Sequence, residues 1–297
     1  MRIDLHTHTN RSDGTVSPGE LVRHAREVGM DVLAVTDHDT TEGWAEAADV
    51  ASRVGLTLVR GIELSCTFAR HGVHLLAYLP DPTYAPLAAE LDRILDGRNT
   101  RLPATLAKLR DMGIDIETTD VRRVAGEAAA IGRPHVADAL IDKGVVRDRA
   151  EAFDKYLGPR GPAHVNRYAA NLDQMIDIVS AAGGVTVIAH PWASRHNHDA
   201  LDEAGLASLK DLGLAGVEVD HQDHDLRKRE TLRALARNLD LVVTGSSDYH
   251  GDGKVDHEIG CNTTDPDDYE QLVALAEKTS AASGRSTPEI VAVSPSP

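Results

Sequence analysis

Short β-branched and apolar runs alternate along this chain with longer stretches of helical period, and seven such runs are followed at once by histidine, aspartate or glutamate. The alternation argues for parallel strands joined by helices rather than a sandwich or a bundle. Strands are expected near 2–6, 31–36, 56–64, 73–79, 184–190, 214–220, 240–246 and 258–263. Ser17 caps a helix that carries Pro18 at its first position and Glu20 three residues after the cap, and its apolar series stops at Gly29. Thr41 to Val54 repeats the pattern and stops at Gly55.

Between the fourth expected strand and the fifth the period changes, and residues 85–183 read as successive helices, with only 114–117 as a candidate strand. The expected architecture is α/β: a barrel-like core from 1–84 and 184–282, with a helical cap inserted at 85–183 over one end. Insertions there shape substrate access, because the chemistry of such folds sits on the loops after the strands. The tail, 283–297, is rich in Ser and Pro and is expected to be flexible.

Composition removes several classes of function. Forty-seven acidic against 31 basic side chains give a formal charge of −16, which repels nucleic acid and anionic lipid at long range. Aromatic residues make up 3%, too few to stack a long single strand. No apolar run reaches membrane-spanning length, and MRIDLHTHTN lacks the marks of a signal peptide, so the cytoplasm is the expected address. Cys66 and Cys261 are too few for a disulfide framework and read as reduced core or near-site thiols.

The unusual count is 15 histidines. The first strand ends in Asp4, Leu5, His6, Thr7 and His8, and its period of two puts both imidazoles on one face with Asp4. Ser12, Asp13 and Gly14 form a turn that can return a carboxylate toward them. The second run stops at Asp37, His38 and Asp39, and the third carries Glu63 between apolar neighbours, costly to bury unless paired or ligating a metal. His74, His190, the segment Glu218 to His224, and Asp248 with His250 complete the series. In a parallel barrel these strand ends meet on one rim. His24, His71, His196, His198 and His257 lie on helices or polar loops and read as solvated, whereas His164 and Glu218 fit either reading.

Imidazole and carboxylate without thiolate suit Zn, Mn or Fe(II). The candidates outnumber what one ion uses, which implies two to three ions with Glu63 bridging. Such a cluster supplies hydroxide at neutral pH and clamps the oxygens of a displacement at phosphorus, so the reaction implied is hydrolysis.

The segments DLHTHTNRSDGT, AVTDHD, RGIELSC, VHLLAY, IAHPW and TGSSDYHGDGK resemble, in that order, the motifs of the polymerase and histidinol phosphatase (PHP) superfamily. GRPHVADALIDKG, EAFDKYLGPRGPAHV and IGCNTTDPDDYEQL further resemble its stand-alone bacterial phosphoesterases, which act on nucleoside 3′,5′-bisphosphates and short RNA 5′ ends. The resemblance implies a distorted (β/α)7 TIM-like barrel with a helical cap and a trinuclear site. His6 and His8 then look like ligands of one ion, shared with Glu63 and Asp248. Asp13, His38 and His250 look like the second set, and Glu63, His74 and His190 like the third. Asp37 and Asp39 are expected to support the ligands, and Asp4 to orient a histidine. In the cap, Arg133 and His135 look like phosphate contacts, followed by Lys155, Arg160 and, from the barrel, His224.

The expected function is a metal-dependent phosphatase acting on phosphate monoesters, foremost the 3′-phosphate of nucleoside 3′,5′-bisphosphates, with 5′-end trimming of short RNA as a related activity. The expected partner is this small phosphorylated substrate, with no membrane and no stable protein partner implied. A histidinol-phosphate-type or other small-molecule phosphatase is the first alternative. An amidohydrolase-like C–N hydrolase would place a carbamylated lysine on a middle strand, yet 56–80 and 184–190 contain no lysine. A regulatory module without activity would lack ligands or carry an interaction tail, and neither is seen.

Overall fold

The computed structural model describes residues 1–193 and 195–291, with only the backbone of 195–197. The chain begins β1 (Ile3–Asp4), α1 (Pro18–Glu27), β2 (Val32–Val35), α2 (Trp44–Val54), β3 (Thr57–Phe68) and β4 (His71–Tyr78). Helices α3 (Ala85–Asp111), α4 (Thr118–Ala125), α5 (Arg133–Asp142) and α6 (Arg149–Ala152) follow, then β5 (Ala170–Asn171) and α7 (Leu172–Ala181). The remainder is β6 (Val185–Ala189), α8 (Arg195–Ala200), α9 (Glu203–Asp211), β7 (Gly216–Asp220), α10 (Leu226–Asn238), β8 (Val242–Gly245) and α11 (Pro266–Ser283).

The strands form one sheet in the order β1-β2-β3-β4-β6-β7-β8, with β5 beside β3. Beyond β1 and β8 the chain keeps pairing: Thr7 bridges Tyr249, the His8 amide donates to the Tyr249 carbonyl at 2.9 Å, and the Asp248 amide donates to that of His6 at 2.9 Å. These bonds nearly close the sheet into the expected seven-strand barrel, and they are made by the residues that carry the imidazoles and carboxylates.

Local sequence explains the first helices. Ser17 and Glu20 form a reciprocal capping box at α1, and Gly55 ends α2 with φ 68°. Two expectations are corrected. The strand near 73–79 is not parallel to its predecessor, because only Ala69 and Arg70 separate β3 from β4, too short for a crossover, and the two form an antiparallel hairpin. β4 also runs antiparallel to β6. Residues 258–263 form turns instead of a strand, although the Thr264 amide donates to the Ile3 carbonyl at 2.9 Å.

The helical insertion has its own apolar core, including Leu102, Leu106, Leu109, Val136, Leu140 and Leu157. Its flanks do not belong to that core: Leu87, Leu91 and Ile94 of α3 and Leu172, Met175 and Ile176 of α7 pack with the barrel. Residues 114–117 form no strand. The tail is anchored at least to Val291, which bridges Leu58 in antiparallel fashion, and 292–297 lie outside the described residues. Among the described residues no helix is long and apolar enough to cross a membrane.

Candidate metal centre

Glu63 sits at the middle of the rim, 1% exposed. Its Oε2 lies 3.1 Å from His8 Nε2, 3.3 Å from His6 Nε2 and 3.2 Å from His38 Nδ1. Its Oε1 lies 2.9 Å from His74 Nδ1 and 3.1 Å from His190 Nε2. One carboxylate thus faces five imidazoles from separate stretches of chain. Asp248 Oδ1 adds contacts of 3.4 Å to His6 and 3.3 Å to His8, while Asp13 approaches His250 Nε2 at 3.3 Å and His38 Nε2 at 3.7 Å.

The antiparallel β4 explains how His74 reaches this rim. His74 pairs with Ser65 near the start of β4, and the start of a reversed strand lies at the same end of the barrel as the close of its neighbours. After β2, β6 and β8 the chain bends sharply: Asp39, His190 and Asp248 have φ of 57°, 28° and 53°, a region most non-glycine residues avoid.

The arrangement fits divalent cations. Nδ1 of His8, His38 and His74 and one oxygen each of Asp13 and Asp248 are buried without a hydrogen-bond partner, although they crowd together. His6 Nε2 and His8 Nε2 lie 3.0 Å apart, two ring nitrogens aimed at a common point. Groups whose ligand atoms lie within 4.8 Å of one another include His6, His8 and Asp248, then His8, Asp13, His38 and His250, and two that share Glu63 with His190 or His74. Orphaned lone pairs in a dry site are stabilised by a cation.

The clustered groups shift one another's proton affinities. Burial works against ionisation of Glu63, but the charges of His38, His74 and His6 hold its carboxyl well below the usual range. Burial likewise opposes charge on His8, yet hydrogen bonds to Asp248 and Glu63 push it up to about 10. His38 goes the other way, to about 3, because burial outweighs the pull of Glu63 and Asp13.

Supporting residues fix the imidazoles. Glu218, fully buried, faces His6 Nδ1 with Oε1 at 3.1 Å and accepts the His190 amide on Oε2 at 2.8 Å. The Asp248 carbonyl lies 2.9 Å from His250 Nδ1, which leaves Nε2 toward Asp13. Asp37 accepts from the Thr9 amide and from the hydroxyls of Thr9 and Ser12, and Asp39 accepts from Ser65 and Arg98. Among the described residues Asp4 contacts no imidazole ring: it accepts amides of His6, Ser247 and Gly260, and Glu218 instead faces the His6 ring.

The expected ligand residues are all brought together, while the expected phosphate contacts are dispersed. His135 lies beside Asp13 and His38 in a small cleft. The Arg133 guanidinium donates to the Leu157 carbonyl at 3.1 Å and lies over the Phe153 ring. Lys155 pairs with Glu151 on the surface, Arg160 is exposed, and buried His224 has both nitrogens engaged, with the Val219 carbonyl and the Trp192 amide. His257, expected to be solvated, is buried near His221, whose Nε2 lies 3.2 Å from Asp248 Oδ2. His24 and His198 are exposed, His164 is half-buried beside Arg133, and the His196 side chain lies outside the described residues. Cys66 is a buried free thiol, whereas Cys261 is exposed.

Comparison with known proteins agrees with this geometry. Residues 4–95 match the PHP domain family. The chain is 35% identical over 258 residues to a 3′,5′-nucleoside bisphosphate phosphatase of Chromobacterium violaceum, covering 87% of this chain and 90% of that one. It is 32% identical over 250 residues to the 5′-3′ exoribonuclease Rnm of Escherichia coli, covering 83% and 84% respectively. A Bifidobacterium adolescentis structure described as a metal-dependent phosphoesterase superposes with a TM-score of 0.87 at 34% identity, over 92% of this chain and 96% of that one. A Chromobacterium violaceum structure described as an amidohydrolase, with bound sulfate and no metal, superposes at 0.83 with 33% identity, over 93% and 97%. With five imidazoles around one buried glutamate and relatives of this kind over most of its length, the chain belongs to the PHP family and is a metal-dependent phosphoesterase.

Proposed function

We propose that the protein removes the 3′-phosphate of nucleoside 3′,5′-bisphosphates, using two to three Mn, Fe or Zn ions held by the rim residues. His6, His8, Glu63 and Asp248 hold one ion, Asp13, His38 and His250 a second, and Glu63, His74 and His190 a third. The observation that carries this reading is Glu63, whose two oxygens face separate imidazole sets. Divalent ions there supply Lewis acidity and an attacking hydroxide at neutral pH.

The chain's own groups do the rest. Glu218 and the Asp248 carbonyl fix the tautomers of His6 and His250, so that their Nε2 lone pairs point inward. A cavity of about 800 Å³ opens over the rim, lined on the cap side by Pro134, Ile141, Arg149 and Phe153. That volume suits a nucleotide, and Pro134, Ile141 and Phe153 offer a base apolar contact in a wall that also carries Asp138, Arg147, Asp148 and Arg149. Lys254 lines the same cavity and pairs with Asp248 Oδ2. Arg133 and His135 approach the substrate from the cap, and Lys155, Arg160 and His224 carry less support because they are turned to the surface or used within the fold. The relative from Chromobacterium violaceum named for bisphosphate hydrolysis supports the substrate, and the exoribonuclease relatives favour 5′-end trimming of short RNA as a second activity.

Release of inorganic phosphate by Mn-loaded protein tests the reading. Adenosine 3′,5′-bisphosphate is expected to be turned over well ahead of AMP and histidinol phosphate. Preference for histidinol phosphate, or no turnover of any of the three, contradicts it.

A further inference from the structure

Arg149, the first residue of α6, has a guanidinium that works on two fronts, on a side chain only 13% exposed. Nε and Nη2 grip the two oxygens of Asp138, on α5, at 2.6 and 2.7 Å, a bidentate pairing that fixes the plane of the group. Nη1 reaches off the cap: it donates to the Asp13 carbonyl at 3.0 Å and lies 3.5 Å from the Gly253 carbonyl. All four residues line the cavity over the rim, so this one side chain joins cap to barrel at the cavity wall.

The barrel end of the contact is the metal centre's own scaffold. Asp13 and His250 group with His38 and His8, and Gly253 lies three residues beyond His250. The two loops are also bound to each other: the Thr15 amide donates to the His250 carbonyl at 3.1 Å, and the Asp252 amide donates to Thr15 Oγ1 at 3.0 Å. A Cβ at Gly251 would collide with Thr15 Oγ1, and a Cβ at Gly253 with Arg149 Nη1, so glycine at both positions permits the close approach. The segments around Asp13 and His250 are thus tied into one unit, and Arg149 fastens that unit to the cap by its backbone. Ligand side chains keep their aim only as well as the backbone beneath them is held.

We propose that Arg149 is a positioning residue for the second ion: locked by Asp138, it holds the Asp13 and Gly253 backbone so that Asp13 and His250 stay turned toward His38. The cap thereby sets the affinity of one metal position without contributing a ligand to it. This role rests on the placement of the second ion given above, not on the identity of the substrate.

Titration of metal-free protein with Mn(II), read from the electron paramagnetic resonance signal of the free ion, gives the bound equivalents and their affinities apart from catalysis. Arg149→Met keeps the length of the stem and removes the donors. It is expected to weaken one equivalent by about 10–100-fold, as when a group that orients a ligand is lost, and to leave the others as in wild type. Asp138→Asn loosens the guanidinium and shifts the same equivalent in the same direction. Arg149→Lys, which retains the charge and one donor group, recovers part of the loss. If Arg149→Met does not fold, Gly253→Ala carries the test, because its Cβ displaces the same guanidinium. Affinities equal to wild type, or weakened alike at every equivalent, overturn the role. Wild type that binds fewer than two Mn(II) overturns it together with the second ion. One equivalent weakened selectively, in a protein that does not hydrolyse the bisphosphate, keeps the role and rejects the substrate reading.

Discussion

Glu218 Oε1 lies 3.1 Å from Nδ1 of His6, a residue 212 positions earlier in the chain. The contact ties the end of β1 to β7 across the barrel and sets which His6 nitrogen is free to ligate. Replacing Glu218 by Gln keeps the shape and removes the charge. Metal affinity is expected to fall by roughly 10–100-fold, the usual effect of losing such a partner. Competition with a chelator measures it; unchanged affinity rejects the positioning role.

Gly14 lies where the loop bearing Asp13 turns back on the first strand, and a Cβ there would sit 2.6 Å from the His8 carbonyl oxygen. Because that neighbour is backbone, Gly14→Ala displaces the Asp13 loop and is expected to destabilise the fold by about 1–3 kcal/mol. Elemental analysis should also show substoichiometric metal. A fully loaded, equally stable variant contradicts the account of this loop.

The ligand residues are legible in the amino-acid sequence because each follows an apolar run, and the period of two puts His6 and His8 on one face. Glu218 fits two readings there because its partner is remote along the chain. The β3–β4 hairpin is hidden because its two-residue turn, Ala69 and Arg70, carries no glycine or proline, although both residues take positive φ. His257 has the polar neighbours of a loop histidine, and its burial beside His221, 36 residues earlier, is a tertiary contact that local sequence does not show.

Buried His224 is pushed down to about 4 by burial, against the ordinary 6.5, and uses both nitrogens in its neutral form. Between these values the unfolded chain binds the proton more readily, so the contribution is intact above about pH 6.5 and is lost as pH falls toward 4. The loss amounts to about 3 kcal/mol. Urea unfolding of chelated protein should show a shallower pH slope in that window for His224→Asn than for wild type. Identical slopes contradict the assignment.

Removing metal leaves the carboxylates of Glu63, Asp13 and Asp248 crowded in a dry site. Ligand linkage at 100-fold saturation is worth about 2.7 kcal/mol per site, so a chelator is expected to lower Tm by about 5 °C or more, reversed by manganese. A chelator-insensitive Tm rejects this coupling.

The most direct measurement is anomalous diffraction at the manganese edge from crystals soaked in Mn(II). Peaks within coordinating distance of Glu63, flanked by His6 and His8, by Asp13, His38 and His250, and by His74 and His190, are the predicted result. A map without peaks at Glu63, or with manganese held elsewhere, contradicts the account.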